Sequence, residues 1–213
     1  MLRASKRTML LTSIITLLPV LVGLFFWDRL PDQMATHFGA NYRPDGYSSK
    51  AFAVFGLPLF LLAMHWFAAF VTTRDPKRQN ISPKLFALVL WIVPAVSLIC
   101  ATAIYAYNLG YEADLSLPFM LLTGLLFIIV GNYLPKARQN YTIGIRVPWT
   151  LASEENWNRT HRLAGRLWVA GGILIVLLSV TGQTDFRLML AVLLIIAVVP
   201  CIYSYLRYAK EKE

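Results

Sequence analysis

Six stretches of this sequence, residues 9–27, 51–72, 85–107, 117–134, 163–181 and 186–206, are almost uninterrupted apolar runs. A helix rising about 1.5 Å per residue needs roughly 20 residues to cross a hydrocarbon core about 30 Å thick, and each run meets that length. Inside a bilayer no water can take up an unpaired N–H or C=O, so an apolar run of this size must close its hydrogen bonds as a helix. The runs therefore predict an all-α integral membrane protein with six transmembrane helices. Composition agrees: 57% of the residues are hydrophobic, 15% are charged and the mean hydropathy is +0.57. Six spans take about 120 of the 213 positions, which leaves no room for a separate soluble domain. The first run follows Arg3, Lys6 and Arg7 as a signal peptide would. It is longer than a signal core, however, and ends in Phe25-Phe26-Trp27 without a small-residue cleavage site, so it reads as the first anchor.

A net charge of +9 would suggest nucleic acid in a soluble protein, but here the distribution of charge matters more than its sum. Sixteen of the twenty Lys and Arg residues precede the first span, fall within 74–84 or 136–166, or follow position 206. The alternate connections hold only Arg29, Arg43, Lys50 and Arg187. Basic residues favour the cytoplasmic side, so both termini and the loop 135–162 are expected to be cytoplasmic. The connections 28–50, 108–116 (with Glu112 and Asp114) and 182–185 are then external. These charges flank spans and are not gathered in one foldable unit, which argues against direct nucleic-acid binding.

The longest polar interval is 138–168, RQNYTIGIRVPWTLASEENWNRTHRLAGRLW. Gly144 and Pro148 disfavour a regular helix in its first half. Ser153 then reads as an N-cap, followed by Glu154 and Glu155 where carboxylates complement the helix dipole. Trp157, His161, Ala164 and Trp168 fall on one helical face, and Arg159, Arg162 and Arg166 on an adjacent basic one. Glu155 stands four residues before Arg159, the favourable order for a helical ion pair.

Asn140, Gly144, Arg146, Pro148-Trp149-Thr150-Leu151, Glu154, Trp157, Thr160, Arg162 and Gly165 together resemble the signature of the SdpI/YfhL family of bacterial membrane proteins. Val147 departs from the pattern, because a hydroxyl residue is expected before the Pro-Trp pair. Leu30-Pro31, His37-Phe38, Asp45-Gly46 and Lys50 resemble a second module, of unknown function, that often stands at the N-terminus of the same family; Tyr42 occupies a position where glycine is expected. The resemblance implies a two-span module over 1–72 with an external loop 28–50. It also implies a four-span region over 85–206 with a cytoplasmic signature loop 135–162. By the same resemblance the function is immunity to a secreted antimicrobial peptide toxin, exercised in the cell membrane. A second role is implied as a receptor that draws a transcriptional repressor to the membrane. The partner-binding residues implied are Asn140, Gly144, Arg146, Pro148, Trp149, Thr150, Glu154, Trp157, Thr160 and Arg162, with Pro31, His37, Asp45 and Lys50 marking the external loop. Arg146, Trp149, Trp157 and Arg162 are the expected cytoplasmic contact, since forked donors and large rigid aromatics make strong docking groups; the alternative is that Arg146 and Arg162 hold lipid phosphates while the tryptophans anchor the helix at the interface.

Other chemistry is thinly represented. His37, Asp32 and Asp45 carry metal-ligand atoms, but their spacing matches no ligand motif, and turn-forming Asp residues explain the loop without a metal. His65 lies inside the second run, where an ionisable group is a functional candidate or a neutral partner for a neighbouring helix; with no acid in any run, the second account is stronger. Cys100 and Cys201 fall in predicted spans and do not suggest a disulfide. No HExxH, GxSxG, Walker lysine or CxxC occurs, and Glu154 and His161 stand two helical turns apart, about 10 Å. No enzyme activity, catalytic residue or cofactor is expected. The alternative to immunity is a small-solute or ion transporter using His65, or a general envelope-stress membrane protein.

Overall fold

A computed structural model describes residues 6–111 and 114–211. Arg3, Glu112 and Lys212, used above in the count of charges, lie outside the described residues. The chain forms α1 (Lys6–Phe25), β1 (Gln33–Phe38), β2 (Pro44–Ser49), α2 (Leu57–Thr73), α3 (Pro83–Asn108), α4 (Ser116–Tyr133), α5 (Pro148–Ala152), α6 (Glu154–Val180) and α7 (Phe186–Lys210). Among the described residues, six helical stretches are long and apolar enough to cross a membrane, in the positions read from the sequence. Leu21, Phe67 and Leu194 are each more than half exposed. In water such surfaces would aggregate; on membrane spans they are the side that faces lipid. The signature helix and the fifth span are one continuous helix, α6, of 27 residues.

The residues pack as two compact units. The N-terminal unit holds α1, the hairpin, α2 and the greater part of α3, that is, the residues up to Val71 with Phe86–Leu115. The C-terminal unit holds Thr72–Leu85 and everything from Ser116 onward. The third span thus packs with the first two, whereas the sequence reading groups it with the four-span region.

In the N-terminal unit, the external loop is more ordered than its turn residues suggested. β1 and β2 pair antiparallel, with Gln33 opposite Ser49 and Phe38 opposite Pro44, and the register shifts on both sides of His37. Tyr42, in the connecting turn, has φ +57, a left-handed conformation that favours glycine and explains why glycine is the expected residue there. Met34 enters the unit's core beside Leu30, Val54, Ile104 and Tyr105. Asn108 at the end of α3 anchors the hairpin. Its Oδ1 accepts from Ala35 N–H and its Nδ2 donates to Ala35 O, both at 2.9 Å, so one side-chain amide mimics a neighbouring strand.

α2 is entered through a single π turn, Phe52–Gly56, in which Leu57 N–H reaches Phe52 O, five residues back. Pro58 follows immediately and has no N–H to give, so the wider turn absorbs a residue the α-helical ladder could not use. His65 is buried, with Nε2 2.9 Å from the Thr12 hydroxyl, and Trp66 donates to Ser13 at 3.1 Å. The intramembrane histidine is therefore joined to a neighbouring helix.

In the C-terminal unit, α4 and α6 run antiparallel along a seam of glycines. A Cβ on Gly124 would lie 2.7 Å from Gly172 O, and one on Gly165 would lie 2.8 Å from Gly131 O. Each pair brings backbone against backbone, the closest approach two helices can make. Asn156 on α6 binds α7: its Nδ2 donates to Ser204 O at 2.9 Å, and its Oδ1 accepts from the hydroxyls of Ser204 at 2.8 Å and Thr160 at 3.0 Å. All three side chains are fully buried and their polar atoms are mutually satisfied.

Candidate functional site

The signature loop is built around buried polar side chains that hold its backbone in an irregular path. Asn140 is fully buried; its Oδ1 accepts from the N–H groups of Thr142 and Ile143 at 2.9 and 2.6 Å, and its Nδ2 donates to Arg138 O and Ile143 O. An asparagine closes such a turn because its amide offers both donor and acceptor to nearby backbone. The chain then passes Gly144, at φ +122. A Cβ there would collide with His161 Nε2, and Trp157 Cζ2 would be 3.1 Å away, so glycine is required on two grounds.

Trp157 and His161 form the floor beneath that glycine. Their rings stack with centroids 4.0 Å apart, and Trp157 Nε1 donates to Ala137 O at 2.7 Å. His161 Nε2 accepts from Ile145 N–H at 3.0 Å, while Nδ1 lies 2.8 Å from Trp157 O. A carbonyl can only accept, so Nδ1 carries the proton and the ring is neutral. Both nitrogens are occupied in fixing the loop. Neither is available to a substrate.

The short helix α5 shows the effect of Val147. With no hydroxyl before Pro148, Thr150 N–H bonds to Val147 O at 3.0 Å, and the Thr150 hydroxyl accepts from Val147 N–H at 3.1 Å. Gln139 closes the other end, donating to Thr150 O at 2.9 Å and Leu151 O at 3.0 Å. Ser153 caps α6 as expected, accepting from Asn156 N–H at 3.2 Å, and Glu155 pairs with Arg159 at 2.8 Å.

A second segment, the strap Thr72–Leu85 between α2 and α3, clasps this loop. Asp75 is 2% exposed. Its carboxylate accepts from Tyr141 N–H at 2.8 Å, the Thr142 hydroxyl at 2.9 Å and Lys77 N–H at 2.7 Å. Asn80 donates to Gln139 O at 2.7 Å, and Lys77 bonds to Gln139 Oε1. The distribution of charge marks this strap only as a basic connection between two spans. The available signal was Asp75 itself, the one acid in an otherwise basic connection.

The residues expected to contact a partner separate into two sets. Asn140, Thr150, Trp157 and Thr160 are fully buried and stabilise the loop from within. Trp157 in particular has no surface to offer, which corrects its assignment as a docking group: an aromatic on the inward face of a helix packs before it binds. Arg146, Pro148, Glu154 and Arg162 are exposed, Gly144 is half-buried, and half-buried Trp149 packs its ring edge against Tyr205, centroids 5.3 Å apart. Arg146 also donates to Tyr141 O at 2.7 Å.

At the other signature, His37 pairs with Asp45 and Lys50 with Asp32, while Pro31 is exposed. Lys50 also donates to Trp27 O at 3.2 Å and lies 5.2 Å from the centre of that indole, which ties the end of the hairpin to the end of α1. The three candidate ligands are thus divided between two ion pairs, and the described residues contain no cluster of three or more His, Cys, Asp or Glu able to hold a metal.

Comparison with known proteins agrees with both signatures. The profile of the SdpI/YfhL protein family matches residues 136–204, which run from the start of the signature loop through α6 to Ser204 in α7. Over those residues the chain is similar to the SdpI/YfhL family. A domain of unknown function (DUF1648) matches residues 14–62, covering most of α1, the hairpin and the start of α2. The immunity protein SdpI of Bacillus subtilis (strain 168) is 27% identical over 206 residues, covering 94% of this chain and 96% of the relative. No solved structure matches the chain significantly. These similarities and the six spans make this a multi-pass protein of the bacterial cell membrane.

Proposed function

We propose that this protein confers immunity to a membrane-active peptide toxin, and that the exposed part of its signature loop recruits a cytoplasmic repressor. The observation that carries the first half is likeness along nearly the whole chain to a protein named for immunity. Expressed in a toxin-sensitive host, the protein is expected to raise survival against its cognate peptide and leave resistance to unrelated membrane agents unchanged. Equal protection against every agent, or protection against none of a panel of family toxins, would overturn the immunity reading.

The second half requires the loop to face the cytoplasm, as the distribution of Lys and Arg favours. Reporter fusions after Arg78 and Gln139 should then read cytoplasmic, and fusions after Asp45 and Gln183 external. An external reading at Gln139 would remove the repressor from reach.

The docking surface consists of what the loop leaves open: Arg146 and Arg162, with Pro148, Glu154 and the free part of Trp149. Guanidinium groups bind carboxylates and carbonyls through paired donors. Converting both arginines to alanine should reduce repressor recruitment by about 2 kcal/mol, roughly thirtyfold in affinity, while the protein remains inserted and abundant. Undiminished recruitment by that variant would show that the arginines serve the membrane interface instead.

A further inference from the structure

The N-terminal unit contains a cavity of about 240 Å³ whose walls include Pro19 of α1, Pro58 of α2, and Ser97, Cys100, Ala101 and Tyr105 of α3. It lies beside the π turn, where the wide coil before Pro58 interrupts the regular surface of α2. The cavity opens sideways: Cys100 at its rim is exposed, and Phe60, which also borders it, is 60% exposed. That opening lies on helices whose outer faces already meet the bilayer, so the cavity continues the protein–lipid interface inward.

The chemistry of the walls selects the occupant. Three hydroxyls border the cavity, and each is engaged elsewhere: Ser97 donates to Thr16 O at 2.9 Å, Tyr105 donates to Pro19 O at 2.8 Å, and Thr36 shares a hydrogen bond with the Ser48 hydroxyl at 2.9 Å. Ser97 and Tyr105 have each used their single donor and Thr36 is paired with Ser48, so the walls are poorly equipped to hold a polar solute or a headgroup. Water does not settle in an apolar cavity without polar partners. An empty one forfeits the dispersion contacts its walls would otherwise make. The neighbouring material is hydrocarbon, already desolvated and flexible enough to enter.

We propose that this cavity is a lipid site, in which one acyl chain of a membrane phospholipid lies between α2 and α3 against Pro58 and Ala101. The chain is held by packing alone, and its headgroup stays outside. This site is independent of the signature loop and of the immunity reading.

The test uses the full-length protein in phosphatidylglycerol vesicles doped with a phospholipid that carries a photoactivatable diazirine midway along one acyl chain. Peptide mapping after illumination should show adducts several-fold enriched at Pro58 and residues 97–101 over Leu59 and Phe67, which face outward on the same α2. Cys100→Phe, which obstructs the rim, and Ala101→Phe, which fills the interior, should each remove the enrichment while the proteins elute as monodisperse species. An even distribution of adducts in the wild-type protein overturns the proposal, whether or not the variants fold, and so does enrichment that survives both substitutions. If the lipid probe gives no enrichment and an apolar peptide bearing photo-leucine does, the acyl-chain assignment fails and the cavity is a peptide site.

Discussion

Replacing Gly172 with leucine should destabilise the C-terminal unit by about 2–3 kcal/mol. A Cβ at this position would lie 2.6 Å from Gly124 O and 2.9 Å from Ile128 N, both backbone atoms of α4. Neither can rotate away as a side chain can, so the helices must separate along the seam. Overpacking of a tight interior costs typically 1–3 kcal/mol, and a leucine against backbone belongs at about the upper end. Removing a helical glycine returns at most about 1 kcal/mol, which does not offset the loss. The expected result is a marked fall in the thermal midpoint of the detergent-solubilised protein, with low abundance in membranes. Gly171→Ala provides the contrast. Its new methyl would meet the Cγ2 methyl of Ile196 at 2.7 Å and Cγ1 of Val192 at 3.2 Å, side-chain atoms where Gly172 meets backbone, so a smaller loss is expected. If Gly172→Leu melts like the parent, α4 and α6 do not pack through these glycines.

Those glycines also show where the sequence was informative. Gly124 and Gly131 were visible as small residues in a span, but they are seven apart and do not match a GxxxG template. Their partners Gly172 and Gly165 are seven apart in the reverse direction, so the seam becomes visible only when α4 and α6 are laid antiparallel. The spans themselves were legible because hydrocarbon thickness imposes a length that any helix must meet. The cap at Ser153 was legible because it acts on the next turn of its own helix.

The hairpin was not legible, for a chemical reason. β2 is PDGYSS, made mostly of residues that favour turns, and it is held by register with β1, by Met34 in the core and by the Asn108 amide 73 residues from Ala35. The division of the signature between buried and exposed residues was likewise hidden. Trp157 and Arg162 look equally suited to recognition on a helical wheel, until one is covered by Gly144 and His161 and the other is not.

Asp75→Ala should release the signature loop while leaving all six spans in place. The carboxylate gathers three donors, the Tyr141 and Lys77 N–H groups and the Thr142 hydroxyl, and two of them belong to a segment 66 and 67 residues away in sequence. A buried donor deprived of its acceptor costs about 1–3 kcal/mol. Tyr141 is exposed and water can reach part of the vacated site, so the net loss for the variant is about 2–4 kcal/mol rather than three full penalties. That is enough to open a loop held by few other long-range bonds, and too little to extract a span. Asp75→Asn keeps one acceptor oxygen, so about half of the effect should remain. Hydrogen exchange at the amides of 139–145 is the direct measurement: protection should fall most for Tyr141 and its neighbours in Asp75→Ala, and partly in Asp75→Asn, while α4 and α6 exchange as before. Because Arg146 reaches Tyr141 O, loosening this strand also displaces an exposed arginine of the proposed docking surface, and repressor recruitment should fall in the same order. Unchanged protection in the alanine variant would mean that Asn140, Gly144 and the Trp157–His161 stack hold the loop by themselves, and that the strap merely rests against it.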